Sequence, residues 1–161
     1  MNRIFYYSIK IINLNLLIFL FFLNPLTLKA EETVLFLGEV NTNNINIRSD
    51  ANIYSEIICK VNKAERLEIV KEYYEWYRVR LPKSVNLYIK KDFVNLIDEK
   101  SARVNKNNVN IRLKPSTNSV IVGKANKDEL VKIIEEEADW YKIEATSNCF
   151  GWIYKKFINK I

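Results

Sequence analysis

The chain has 161 residues, among them 25 basic and 19 acidic ones for a net charge of +6, two cysteines and no histidine. Without histidine, Ser-His-Asp and Cys-His catalysis are excluded and the commonest metal ligand is missing. Two cysteines are too few for a structural zinc site, which takes four ligands, so no metal and no cofactor is implied.

Residues 1–30 differ in kind from the rest. They carry Arg3, Lys10 and Lys29 and no acidic residue, a run from Leu14 to Leu23 that is apolar except for Asn15, a break at Asn24 and Pro25, and a small residue at Ala30. This is the layout of a signal peptide cut after Ala30. An uncleaved anchor is the alternative, since Ile11 to Leu28 is just long enough to span a bilayer. Removing the leader leaves 22 basic against 19 acidic residues, a net +3 of mixed sign. So mild a charge argues against nucleic acid as a partner. The chain is read as exported, to the periplasm or to the extracellular side and cell envelope, with membrane contact only if the leader stays.

Beyond the leader the chain repeats itself. "NNINIR" (43–48) returns as "NNVNIR" (107–112), Trp76-Tyr77 returns as Trp140-Tyr141, and Phe93 returns as Phe157, always 64 residues later. Laying 40–97 over 104–161 needs no gap, and 22 of the 58 pairs are identical. A fixed period with matched apolar positions marks a duplicated structural unit. The units run over 38–97 and 102–161, with "IDEKS" (97–101) as a short polar linker.

Within each unit the signal is short runs of alternating residues. Ile45 and Ile47 face one way and Asn46 and Arg48 the other; Leu67 and Ile69 share a face; Tyr77 and Val79 oppose Trp76, Arg78 and Arg80; residues 87–94 close the unit. The second unit keeps the pattern at Val109/Ile111, Val131/Ile133, Tyr141/Ile143 and from Trp152 onward. Period-two runs rich in Val, Ile, Tyr and Trp are strands, and "EYYEW" (72–76) and "EEEADW" (135–140) read as hairpin tips. "LKPSTNS" (113–119) and its counterpart "SDANIYS" (49–55) are loops. The counterpart of Gly151 is Leu87, so a positive φ is not required there.

The stretch 107–158 resembles a bacterial SH3 domain. It has the Val-Asn-Ile-Arg start (109–112), the Pro-Ser loop (115–116), an apolar strand ending in Gly123, the Trp-Tyr-Lys-Ile strand (140–143) and the Gly-Trp-Ile strand (151–153). The first unit is a weaker version, with Ala51, Cys59 and Leu87-Tyr88 where the family has Pro, Gly and Gly-Trp. The resemblance implies an all-β chain of two tandem SH3-like barrels, each of about five to six short antiparallel strands. It also implies a non-enzymatic binding module for cell-wall peptidoglycan, peptide or glycan. Family members often precede a wall-cutting enzyme, and here the chain stops at the end of the second unit. The alternative is an envelope adaptor that binds an extended segment of a partner protein.

Aromatics are the candidate ligand-binding residues: Trp76, Tyr77, Tyr88, Trp140, Tyr141 and Trp152. Their faces suit sugar rings and peptide backbones. Alternation puts Trp76 and Trp140 at the surface or between the units, with core packing as the third possibility. The acidic run Glu135–Glu137 with Asp139 reads as a solvated face rather than a glycosidase pair. Arg48 and Arg112 read as structural, through a salt bridge or a loop-pinning hydrogen bond. Cys59 and Cys149 are a possible disulfide linking the units, or else two buried thiols.

Overall fold

A computed structural model describes residues 32–161; the leader assigned to 1–30 lies outside the described residues. Fourteen strands follow in chain order: β1 Phe36–Val40, β2 Ile45–Arg48, β3 Ile57–Val61, β4 Arg66–Tyr73, β5 Trp76–Arg80, β6 Asn86–Lys90, β7 Val94–Asp98, β8 Ser101–Val104, β9 Val109–Arg112, β10 Ile121–Ala125, β11 Leu130–Glu137, β12 Trp140–Glu144, β13 Phe150–Tyr154 and β14 Ile158–Lys160. One-turn 3-10 helices at Lys91–Phe93 and Lys155–Phe157 join β6 to β7 and β13 to β14. The described residues form an all-β, antiparallel fold, as the alternation implies. No helix among the described residues is long and apolar enough to cross a membrane.

The strands form two seven-stranded sheets, in the orders β14-β1-β4-β5-β13-β2-β3 and β10-β9-β6-β12-β11-β8-β7. With the 64-residue offset applied, the second order is the first one reversed. The two barrels are therefore equivalent, but neither is built from one repeat. β13, from the second unit, lies between β5 and β2 of the first, with Gly151 opposite Val79 and Trp152 opposite Arg48. β6, from the first unit, lies between β12 and β9 of the second, with Leu87 opposite Ile143 and Tyr88 opposite Arg112. The units 38–97 and 102–161 are thus sequence units, and each barrel takes its last two strands from the other one. The crossings run past each other at 81–85 and 145–149, where Leu81 N–H donates to Cys149 O (2.9 Å) and Ala145 N–H to Val85 O (3.0 Å).

Side-chain sizes agree with this exchange. A Cβ on Gly151 would overlap Cγ2 of Ile47 and lie 3.2 Å from Cδ1 of Ile58. No glycine has positive φ, so the demand at Gly151 is for close approach. In the second barrel the equivalent places hold Leu87 and Val122, a larger strand residue with a smaller neighbour. Closing each repeat on itself would pair Gly151 with Val122 and Leu87 with Ile58, leaving one barrel short of volume and overfilling the other. Interiors are packed closely enough for both errors to be costly.

The core is made by Ile47, Ile69, Val79 and Ile153 in the first barrel and by Ile89, Ile111, Ile133 and Ile143 in the second, seven of them fully buried and Ile133 nearly so. The linker expected at 97–101 is instead the tight turn between β7 and β8, a hairpin within the second barrel in which Lys100 N–H donates to Asp98 Oδ1 (2.8 Å) and Ser101 Oγ to Asp98 Oδ2 (2.7 Å). These hydrogen bonds, that of Ser101 foremost, hold the Asp98 carboxyl below its ordinary pKa. Turns elsewhere use positive φ without glycine, in repeat-matched pairs: Asn44 and Asn108, Ala64 and Asp128, Tyr74 and Ala138.

Candidate functional site

Each barrel carries a groove at the same place. The first is lined by Asn44, Ile45, Asn46, Arg48, Ile53, Trp76, Tyr154, Lys156 and Phe157, and has a volume of about 390 Å³. The second is lined by the equivalents Asn108, Val109, Asn110, Arg112, Thr117, Trp140, Lys90 and Phe93, joined by Lys106 and Asn107, and has a volume of about 200 Å³. Both grooves are composite. Tyr154, Lys156 and Phe157 reach the first from the second repeat, and Lys90 and Phe93 reach the second from the first.

The floor is aromatic. Trp76 is only 9% and Trp140 only 8% exposed, so neither stands free on the surface. Trp76 is covered by Tyr154 edge-on, with ring centroids 5.3 Å apart, and Tyr154 is in turn tilted against Phe157 at 6.3 Å. Tyr154, from the second repeat, thus packs on Trp76 of the first. Arg48 Nη1 donates to Ser55 O (2.8 Å) and Arg112 Nη1 to Ser119 O (2.7 Å); these guanidinium groups pin the loop beside each groove. Asn46 Oδ1, in the lining of the first groove, is shielded from solvent and has no hydrogen-bond partner among the described residues.

The other aromatic candidates lie elsewhere. Tyr77 is under the ammonium of Lys155 (5.2 Å), which pairs with Glu72, and Tyr141 is under Lys91 (5.3 Å), which pairs with Glu136. Both arrangements tie an exchanged 3-10 turn to its host barrel, and neither tyrosine lines a groove. Trp152 and Tyr88 face outward from β13 and β6. Trp152 packs at 6.0 Å against Tyr73, which packs against Tyr74. Tyr88 sits in register with Lys142 and near Glu137; partial burial, then the Glu137 charge, raises its pKa.

Cys59 and Cys149 are both free thiols. The possible bridge between them is not formed: Cys149 lies against Gly123, whose Cβ would stand 2.8 Å from Sγ, and Sγ is 3.4 Å from Thr146 Oγ1. Burial pushes the Cys59 thiol up to about 12, with Glu65 adding to it, and burial also raises Cys149. Burial thus disfavours the reactive thiolate at both positions. Among the described residues no group of three or more His, Cys, Asp or Glu could hold a metal ion.

Phe93, Phe157, Tyr154 and the groove lysines were not singled out by sequence reasoning. Phe93 and Phe157 were detectable, since they recur at the 64-residue offset. Lys106 and Lys156 were not, because they occupy different positions in their repeats.

The fold is a pair of small SH3-like barrels with an aromatic-lined groove on each. Residues 43–95 and 107–159 each match the family profile described as "Bacterial SH3 domain", and the chain belongs to that family. A putative N-acetylmuramoyl-L-alanine amidase, YrvJ, of Bacillus subtilis (strain 168) is 23% identical over 128 residues, which cover 74% of this chain and 24% of the amidase. The chain thus spans about a quarter of that relative's length.

Proposed function

We propose that the protein is an exported, non-enzymatic binding module that attaches to cell-wall peptidoglycan through its two composite grooves. The observation that carries this reading is the grooves' repetition: the same aromatic floor, asparagine rim and pinned loop occur twice in one chain. Two equivalent sites suit a polymer that repeats its own epitope, because linked sites bind with an avidity well above that of either alone. The amidase relative, named for cutting a wall bond, supports peptidoglycan as the polymer.

The test is co-sedimentation of residues 31–161, the compact unit that holds every described strand, with purified peptidoglycan sacculi at low and high salt. Pelleting that resists salt and weakens in a Tyr154→Ala, Phe157→Ala double variant is the expected result. A wild-type fragment that stays in the supernatant at both salts defeats the reading. In that case the sheet ends become the site to pursue. β3 ends one sheet with Ile57 44% exposed, and a partner's extended segment could add to it.

A further inference from the structure

We propose that each groove seats a free carboxylate of a short acidic peptide, held by Lys156 in the first barrel and by Lys106 in the second. This rests on the wall-binding reading and names the ligand as the stem peptide of peptidoglycan rather than its glycan.

The first support is the charge of the linings. The chain has 19 acidic residues, yet no Asp or Glu lines either groove, while Arg48 and Lys156 line one and Lys90, Lys106 and Arg112 the other. Most of these cations are already engaged. The two arginines pin loops, and Lys90 is paired with Asp92 at 3.1 Å. Lys156 and Lys106 make no ion pair among the described residues, and both are exposed.

The second support is where these two ammonium groups sit. Lys156 Nζ is 5.0 Å from the ring centre of Phe157, and Lys106 Nζ is 5.3 Å from that of Phe93. Phe157 and Phe93 are repeat equivalents, but the lysines are not: Lys156 corresponds to Asp92, and Lys106 to Thr42. Duplication would have copied one lysine to the matching position. Instead a free cation reaches the same phenylalanine by two different routes. A ring face holds an ammonium weakly, which leaves its strong, charge-assisted hydrogen bonds for a ligand anion.

The floor decides which anion. Ile45, Trp76 and Phe157, or Val109, Trp140 and Phe93, line the same groove as the cation with apolar groups. A peptide with small apolar side chains and a free carboxylate satisfies both. A glycan supplies faces without requiring the cation, and a phosphate polymer supplies charge without apolar groups for the floor.

Three tryptophans make the test direct. The indole N–H signals of Trp76 and Trp140 report on one groove each, and Trp152, outside both linings, is the control. Residues 31–161 are titrated with a soluble stem peptide, the same peptide with its carboxylates amidated, and poly(glycerol phosphate). The free-carboxylate peptide should move the Trp76 and Trp140 signals, and amidation should weaken binding about tenfold, the loss expected for one charge-assisted hydrogen bond. Lys156→Gln should weaken only the Trp76 curve and Lys106→Gln only the Trp140 curve, with Lys→Arg restoring most of each. Equal response to the amidated peptide, indifference to both substitutions, or response to the phosphate polymer alone overturns the proposal. Sacculi that still pellet the protein in any of those cases leave wall binding standing and assign it to another part of the polymer.

Discussion

The two barrels share strand order and register and differ in what they show to solvent, and the difference comes from the borrowed strand. β13 brings Phe150, Trp152 and Tyr154 to the outer face of the first barrel, where Arg78 stacks on the Phe150 ring at 4.2 Å. β6 brings Asn86, Tyr88 and Lys90 to the same places in the second. The neighbouring hairpin tip follows suit, with Tyr73 and Tyr74 in the first barrel and Glu137 and Ala138 in the second. One barrel is therefore faced with aromatics and has the larger groove, while the other is faced with charge, including the pair Lys142–Glu135 at 3.1 Å. The Gly-Trp motif by which the second repeat resembles its family does its packing in the first repeat's barrel. A duplicated unit here diverges by what it exports to its twin as well as by what it keeps.

The sharpest way to break this comparison is to cut the chain at the Glu99–Lys100 turn between β7 and β8. If each barrel holds strands of both fragments, the nicked protein should co-elute as one species in size-exclusion chromatography and separate only in denaturant. Two species eluting apart under native conditions would show that each repeat closes on itself. The effect is all-or-none, because each fragment would otherwise leave its partner's β5–β2 or β12–β9 gap unfilled.

Most single strands were legible in the sequence, and the exchange was not, for one physical reason. Alternation tells which face of a strand is buried, so β2, β4, β5 and their equivalents were readable from Ile45/Ile47, Leu67/Ile69 and Tyr77/Val79. It does not tell which of two similar cores receives that face, and a strand of either repeat satisfies the same pattern. The only trace was in volumes, Gly151 with Ile58 and Leu87 with Val122, and a volume pair means nothing until the partner is known. The polar stretch 97–101 has the composition of a linker and of a hairpin turn alike. For the site, Trp76 and Trp140 were legible because they repeat. Their near-complete burial was not, since Tyr154 covers Trp76 from a strand 78 residues away.

Core substitutions on the two borrowed strands come next in size. Leu87→Ala opens a cavity at a fully buried site in the second barrel and should cost about 2–5 kcal/mol. Gly151→Ala forces a methyl onto Ile47 in the first and should cost about 1–3 kcal/mol. Both are measured by urea unfolding. Adding Val122→Ile to Leu87→Ala should recover part of the loss, since the exchange brings both into the second barrel; strict additivity would say that they share no core. Comparable to the Gly151→Ala loss, and equal in the two barrels, should be the loss from Arg48→Met and from Arg112→Met. Each removes one charged hydrogen bond to a loop carbonyl, worth about 1.5–3 kcal/mol at most, and unequal losses would mean that the two loops are held differently.

The smallest effects have the opposite sign. Ala64 and Ala138 sit at φ of 69° and 48°, a left-handed conformation in which a Cβ crowds the backbone and glycine is unstrained. The chain has only three glycines, and none of them is at a positive-φ turn. Ala64→Gly acts on the first barrel and Ala138→Gly on the second. Each should raise stability by about 0.5–1 kcal/mol, the relief of strain outweighing the greater chain entropy of glycine in the unfolded state. Because strands of both repeats complete each barrel, the two gains should appear in a single cooperative transition at one shared midpoint. Two transitions, each moved by only one substitution, would show the barrels unfolding independently, which strands shared in this way do not permit.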